Sequence, residues 1–127
     1  GAFTPTCSSK QLPGYEELYP EFVKYVDDVF CLSVNDAFVM DAWFRDQEIK
    51  NVKYIPDGSG EFTYAMGMSV NKANLGFGFR SWRYAMVVND GVIEQMFEEP
   101  GRVGNCPADP YEISTPENVL KWLEENQ

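Results

Sequence analysis

Three observations predict an α/β fold with a mixed sheet. Short apolar runs of strand length alternate with stretches of helical periodicity. Two such runs, Tyr84–Asn89 and Val92–Phe97, flank the turn signal Asn89-Asp90-Gly91 and read as a hairpin. The chain then closes on Ser114-Thr115-Pro116-Glu117, which offers a cap, a first-turn proline and a capping-box glutamate for a last helix. Helices and strands in alternation, ending in a hairpin and a helix, point to a sheet with both parallel and antiparallel strands.

The elements follow in order. In residues 8–26, Tyr15, Leu18, Tyr19, Phe22, Val23 and Val26 fall at helical spacing and make an apolar stripe. Pro13-Gly14 and Pro20 interrupt it, which predicts a short first turn carrying Cys7 and then a kinked helix. Residues 28–34 are apolar with β-branched and aromatic members, a buried strand containing Cys31. Asn35-Asp36 can cap a helix over 36–50, with Ala37, Met40, Trp43 and Phe44 on one side. Phe38 and Val39 sit partly off that stripe and suggest a partner surface. Val52–Ile55 is a second strand, Pro56-Asp57-Gly58 a turn, and Glu61–Met66 a short helix. Residues 67–74 read as a loop or weak strand, and Leu75–Phe79 as a loop at an aromatic surface, since its glycine spacing is not that of a phosphate loop. Residues 98–110 are a Pro/Gly-rich loop holding Cys106. Val119, Leu120, Trp122 and Leu123 give the last helix its apolar face.

Composition narrows the chemistry. The chain has 127 residues, the length of one domain, and 44% hydrophobic residues, enough for a core. Its formal net charge of −10 argues against nucleic acid or an anionic membrane as partner, because both are bound through Lys and Arg. No apolar run approaches the roughly 20 residues that cross a bilayer. There is no histidine, which removes Cys-His and Ser-His catalysis and disfavours a zinc site. The three cysteines form no C-x-x-C pair and are too scattered for a disulfide scaffold.

Cys7 stands before a helix start, where unpaired backbone N–H groups favour a thiolate, the reactive form of cysteine. Its flanks, Thr-Pro-Thr and Ser-Ser, are polar; the plain alternative is a buried apolar thiol. Without histidine, a cation or the helix dipole must activate it. Arg80 and Arg83 are the candidates, each otherwise a surface charge. Cys31 reads as core. Cys106, in a Gly-Asn-Cys-Pro loop, is either incidental or a disulfide partner.

The segments GAFTPTCSS, LPGYEE, SVNDAFVMDAW, IPDGSGEFTYAMGM and LGFGFRSWRYAMVVNDGVIEQMFEEPG together resemble the peroxiredoxins of the type-five, redoxin-domain subfamily. The resemblance also extends to the peroxiredoxin part of peroxiredoxin-glutaredoxin hybrids. It covers nearly the whole chain. Of the family motif P-x-x-x-T-x-x-C the chain holds the T-x-x-C part as Thr4-Pro5-Thr6-Cys7; the motif's proline would fall one residue before Gly1, outside this sequence. The resemblance implies a thioredoxin-like three-layer sandwich with a mixed central sheet. It further implies that residues 1–127 are a single peroxiredoxin domain, N-terminally incomplete, whose leading strands lie outside this sequence.

By the same resemblance the activity is thiol-dependent reduction of hydrogen peroxide and alkyl hydroperoxides through a cysteine sulfenic acid, without metal or organic cofactor. Cys7 matches the peroxidatic cysteine, Thr4 the hydroxyl that holds thiolate and peroxide, and Arg83 the active-site arginine. Arg80 has no equally firm counterpart. Cys106 lies near where some members carry a resolving cysteine. The implied reductant is thioredoxin if Cys106 resolves, and glutathione with glutaredoxin if it does not. A homodimer through Phe38, Val39 and residues 76–79 is implied, in the cytoplasm or in an organelle after removal of a transit peptide. A peroxide sensor without turnover, or a truncated interaction module, is the competing reading. A thioredoxin-like disulfide exchanger is disfavoured by the missing C-x-x-C.

Overall fold

The computed structural model describes residues 1–127. The Cys7 segment opens as a π-helical turn, Cys7–Gln11, and runs into α1 (Leu12–Glu17) and α2 (Tyr19–Phe22). Pro13 and Pro20 each sit within the first two residues of their helix, where the missing N–H costs nothing. The expected kinked helix is thus two short helices joined at Leu18. Then follow β1 (Phe30–Ser33), α3 (Ala37–Asp46), β2 (Lys53–Pro56), α4 (Glu61–Ala65), β3 (Ser69–Asn71), β4 (Phe79–Ser81), β5 (Tyr84–Asn89), β6 (Val92–Glu98) and α5 (Pro116–Glu125).

β1 and β2 run parallel, which requires the crossover that α3 supplies. β3 pairs with β4, and β5 with β6, antiparallel. Parallel and antiparallel pairing are therefore both present, but the strands hydrogen-bond in three separate pairs and not as the one mixed sheet expected. β4 was hidden in the sequence. Gly76 and Gly78, both at positive φ, turn the chain so that Phe79–Ser81 can pair with β3. The β5–β6 turn has Asp90 and Gly91 at positive φ, as a two-residue hairpin loop demands.

Asp36 caps α3 by accepting from the Val39 N–H at 2.8 Å. Met40, Trp43 and Phe44 of that helix are buried, whereas Ala37 is exposed, so the stripe begins one turn later than expected. At α5 the cap is Thr115, whose Oγ1 accepts from Asn118 N–H at 3.3 Å. Ser114 is not the cap, and Glu117 makes no capping box with it. The Ser114 hydroxyl is used elsewhere, by Glu99.

The core has three parts. Cys7 and Leu12 pack with Met40, Trp43, Phe44 and Val52 between the first helices, α3 and β2. Phe22 packs with Val87, Phe97, Val119 and Leu123, joining α2, the hairpin and α5. Val23 belongs to the expected stripe but is exposed. Met68, Val70 and Trp82 form a third group, with Cys106 against it. Burying side chains such as Met40 and Phe44 stabilises the fold by about 1.5–3 kcal/mol each. No helix is long and apolar enough to cross a membrane.

Candidate active site

Cys7 is the first residue of the π-helical turn and is buried. Leu12 N–H donates to its carbonyl, the five-residue step of a π-helix. Below it, the Trp43 indole N–H donates to Ser8 Oγ at 2.9 Å, fastening the turn to α3. At the mouth, the Asn35 side-chain oxygen accepts from the Ala2 N–H at 2.9 Å.

One side-chain cation reaches the sulfur: Arg83 Nη2 lies 3.4 Å from Sγ, and the Gly1 backbone nitrogen donates to Sγ at 3.0 Å. Burial pushes the Cys7 thiol up. The Gly1 nitrogen and the Arg83 guanidinium outweigh that, with the Thr4 hydroxyl close by, and the pKa falls from 9.0 to about 7. Near neutral pH the thiolate is thus a major form. The Thr4 hydroxyl donates to the Gly1 carbonyl at 2.6 Å and stands ready beside the sulfur.

Arg83 is held at every nitrogen. Nε donates to Gln11 Oε1 at 3.0 Å, and Nη1 donates to Asp109 Oδ1 and to the Pro110 carbonyl, each at 2.8 Å. The guanidinium also lies 5.6 Å from the Tyr111 ring centroid, a cation–π distance. Burial raises the Asp109 carboxyl, but its bond to Arg83 prevails and holds it below the usual carboxylate range. Only 9% of the Arg83 side chain is exposed.

The structure thus brings together Cys7, Thr4 and Arg83 of the residues singled out by sequence. Arg80 lies apart from the sulfur: its Nε donates to the Phe77 carbonyl at 3.3 Å and it stacks over that ring. Cys31 is a half-buried thiol of β1, and burial pushes it up to about 12, the behaviour of an inert core cysteine. Cys106 is free and packs on the Met68–Val70–Trp82 group, while its neighbour Asn105 donates from its N–H to the Asn71 carbonyl at 2.7 Å. Gln11, Asp109, Pro110 and Tyr111 are site residues that sequence reasoning missed. Gln11 carried a signal, since it stands four residues after Cys7 on a helical segment. The others lie in an irregular loop and carried none. No group of three or more His, Cys, Asp or Glu side chains is arranged to hold a metal ion.

The Redoxin family model matches residues 1–113. A peroxiredoxin of Rhizobium etli is 64% identical over 124 residues, covering 97% of this chain and 69% of that protein. The chain belongs to the redoxin family, among the peroxiredoxins. A hybrid peroxiredoxin of Haemophilus influenzae is 57% identical over 97% of the chain, which corresponds to 50% of its own length. The Plasmodium falciparum antioxidant protein, described as a 1-Cys peroxiredoxin, superposes with a TM-score of 0.96 at 44% identity. It is covered over 99% of this chain and 74% of its own. The chain therefore spans between about half and three-quarters of the length of these curated relatives. Peroxiredoxins are thiol-dependent peroxidases with a thioredoxin-type fold, and the mixed α/β architecture here is theirs.

Proposed function

We propose that this chain reduces hydrogen peroxide and alkyl hydroperoxides through Cys7. The observation that carries the reading is one buried thiol, lowered to about 7, with a guanidinium 3.4 Å from its sulfur. The thiolate attacks one oxygen of the peroxide. An S–O bond forms as the O–O bond breaks, sulfur is oxidised to the sulfenic acid, and the departing oxygen takes a proton to leave as water or an alcohol. Arg83 stabilises the charge that spreads along the breaking bond, and the Thr4 hydroxyl turns from the Gly1 carbonyl to the peroxide. A thiol then condenses with the sulfenic acid, releasing water and forming a disulfide. A second thiol reduces that disulfide.

Regeneration by glutathione with glutaredoxin is the simpler route. Cys106 sits in a different core group and is anchored through Asn105, so serving as resolving thiol would require that loop and the Cys7 turn both to open. Steady peroxide consumption with glutathione and glutaredoxin, unchanged in Cys106→Ser, is the expected result. Turnover with thioredoxin alone that is lost in Cys106→Ser would assign resolution to Cys106. A single oxidation without turnover by either reductant would leave a sensor and refute the peroxidase.

A second copy of this chain is the proposed occupant of the surface around Phe38, Val39 and residues 76–79. Phe38 is 86% exposed and Phe79 68%, unusual for large apolar side chains. We place the protein in the cytoplasm, a reducing compartment that keeps a reactive thiol such as Cys7 available. Residues 1–127 are read as one domain.

A further inference from the structure

We propose that Glu99 is a positioning residue for Arg83, its backbone fixing the backbone of that arginine and its buried side chain fixing the loop that holds the guanidinium. The proposal rests on the reading of Cys7 as the peroxide-reactive thiol and deepens it.

Glu99 follows directly on β6 and is fully buried, the least expected fate for a glutamate without a cationic partner. Its carboxylate is satisfied by four donors from one short stretch. Oε1 accepts from the Glu112 N–H at 3.0 Å. Oε2 accepts from the Ile113 N–H at 2.9 Å and from both the N–H and the hydroxyl of Ser114 at 2.7 Å. Burial works against its charge, yet these donors hold its carboxyl below the usual carboxylate range. An ionised, buried carboxylate on three backbone amides is a strong clasp.

What the clasp holds explains its place. The segment it grips, 112–114, directly follows Asp109, Pro110 and Tyr111, which with Gln11 hold the Arg83 guanidinium. The backbone of Glu99 meanwhile holds the other end. Its N–H donates to the Arg83 carbonyl at 3.2 Å, and its carbonyl accepts from the Trp82 indole at 2.7 Å. One residue therefore ties the Trp82–Arg83 link between β4 and β5 to the loop that aims the Arg83 head. Without the clasp, residues 99–115 have no ladder to hold them, since they form neither helix nor strand.

Charge and position predict opposite effects on Cys7, and that makes the proposal testable. Removing a buried negative charge by itself favours the thiolate and lowers the Cys7 pKa. Releasing Arg83 raises it. The experiment measures the Cys7 pKa from the pH dependence of alkylation, without peroxide, and the rate of single-turnover oxidation by hydrogen peroxide. Both are taken in Glu99→Gln, Arg83→Gln and the double variant. The expected results are a raised Cys7 pKa in Glu99→Gln and an oxidation rate lowered about 10- to 100-fold, the cost of misplacing a reacting group by about an ångström. The double variant should be no slower than Arg83→Gln alone, because Glu99 acts through Arg83.

An unchanged or lowered pKa, or losses that multiply in the double variant, would overturn the proposal. Should Glu99→Gln fail to fold, Glu99→Asp keeps the charge and withdraws it by one methylene from the amides. It should raise the Cys7 pKa too, and an unshifted pKa there would overturn the proposal equally. Peroxide oxidation surviving in Cys7→Ser would instead sink the reading of Cys7, and that outcome is separate because the alkylation pKa needs no peroxide.

Discussion

Replacing Arg83 by glutamine is the sharpest perturbation of the Cys7 environment. It removes the guanidinium nitrogen 3.4 Å from Sγ and leaves Asp109 without its cation. A hydrogen bond to a charged group contributes about 1.5–3 kcal/mol. At about 1.4 kcal/mol per pKa unit, its loss carries the Cys7 thiol from about 7 to about 8–9. The thiolate at neutral pH then falls from about half of the molecules to between roughly 10% and 1%, so oxidation slows some 5- to 50-fold on this account alone. A further loss comes from the missing cation at the breaking O–O bond, and raising the pH does not restore it. The assay is stopped-flow oxidation by hydrogen peroxide across pH, read beside thiolate absorbance. A rate that recovers fully at high pH would confine Arg83 to tuning the thiol. A Cys7 pKa unchanged in Arg83→Gln would refute the reasoning.

Other outcomes follow from the same contacts. Glu16, Asp57 and Glu99 all have lowered carboxyls, since backbone and side-chain hydrogen bonds outweigh their burial. Their folded values lie below the unfolded ones, so their stabilisation is complete above the unfolded values and is lost as pH falls through the folded values. Urea midpoints should hold level between about pH 5 and pH 6 and drop steeply below about pH 4, and a level profile into stronger acid would contradict the three assignments. Phe38→Glu should shift sedimentation towards the monomer without changing the Cys7 pKa, whereas an unchanged oligomer would remove that face from the interface.

Much of the fold was legible because its signals are local. The hairpin of β5 and β6 follows from alternating apolar residues around Asn89-Asp90-Gly91, and its observed limits differ from the expected ones only by Glu98. The Asp36 cap and the Met40–Trp43–Phe44 stripe were equally plain. β4 was not, since a three-residue strand depends on pairing with β3 and has no period of its own. The π-helical turn was hidden too, because composition does not distinguish a five-residue step from a four-residue one.

At the site, Cys7 announced itself by its polar flanks, the lack of histidine pointed to a cation at Arg80 or Arg83, and the resemblance singled out Arg83. Their partners did not. Gln11 and Arg83 are 72 residues apart, and Arg83 and Asp109 are 26 apart, distances that only the fold closes. Glu99 looked like one more acid in an acidic chain, and Ser114 looked like a helix cap. Their joint role follows only from the burial of a carboxylate among amides of a distant loop.

The most direct measurement is the site of oxidation itself. Protein treated with one equivalent of hydrogen peroxide, trapped with a sulfenic-acid reagent and digested for mass spectrometry, should carry the label on Cys7, one per chain. Cys31 and Cys106 should remain unlabelled. Label on either of those thiols with Cys7 unmodified, or undiminished peroxide consumption by Cys7→Ser, would contradict the account.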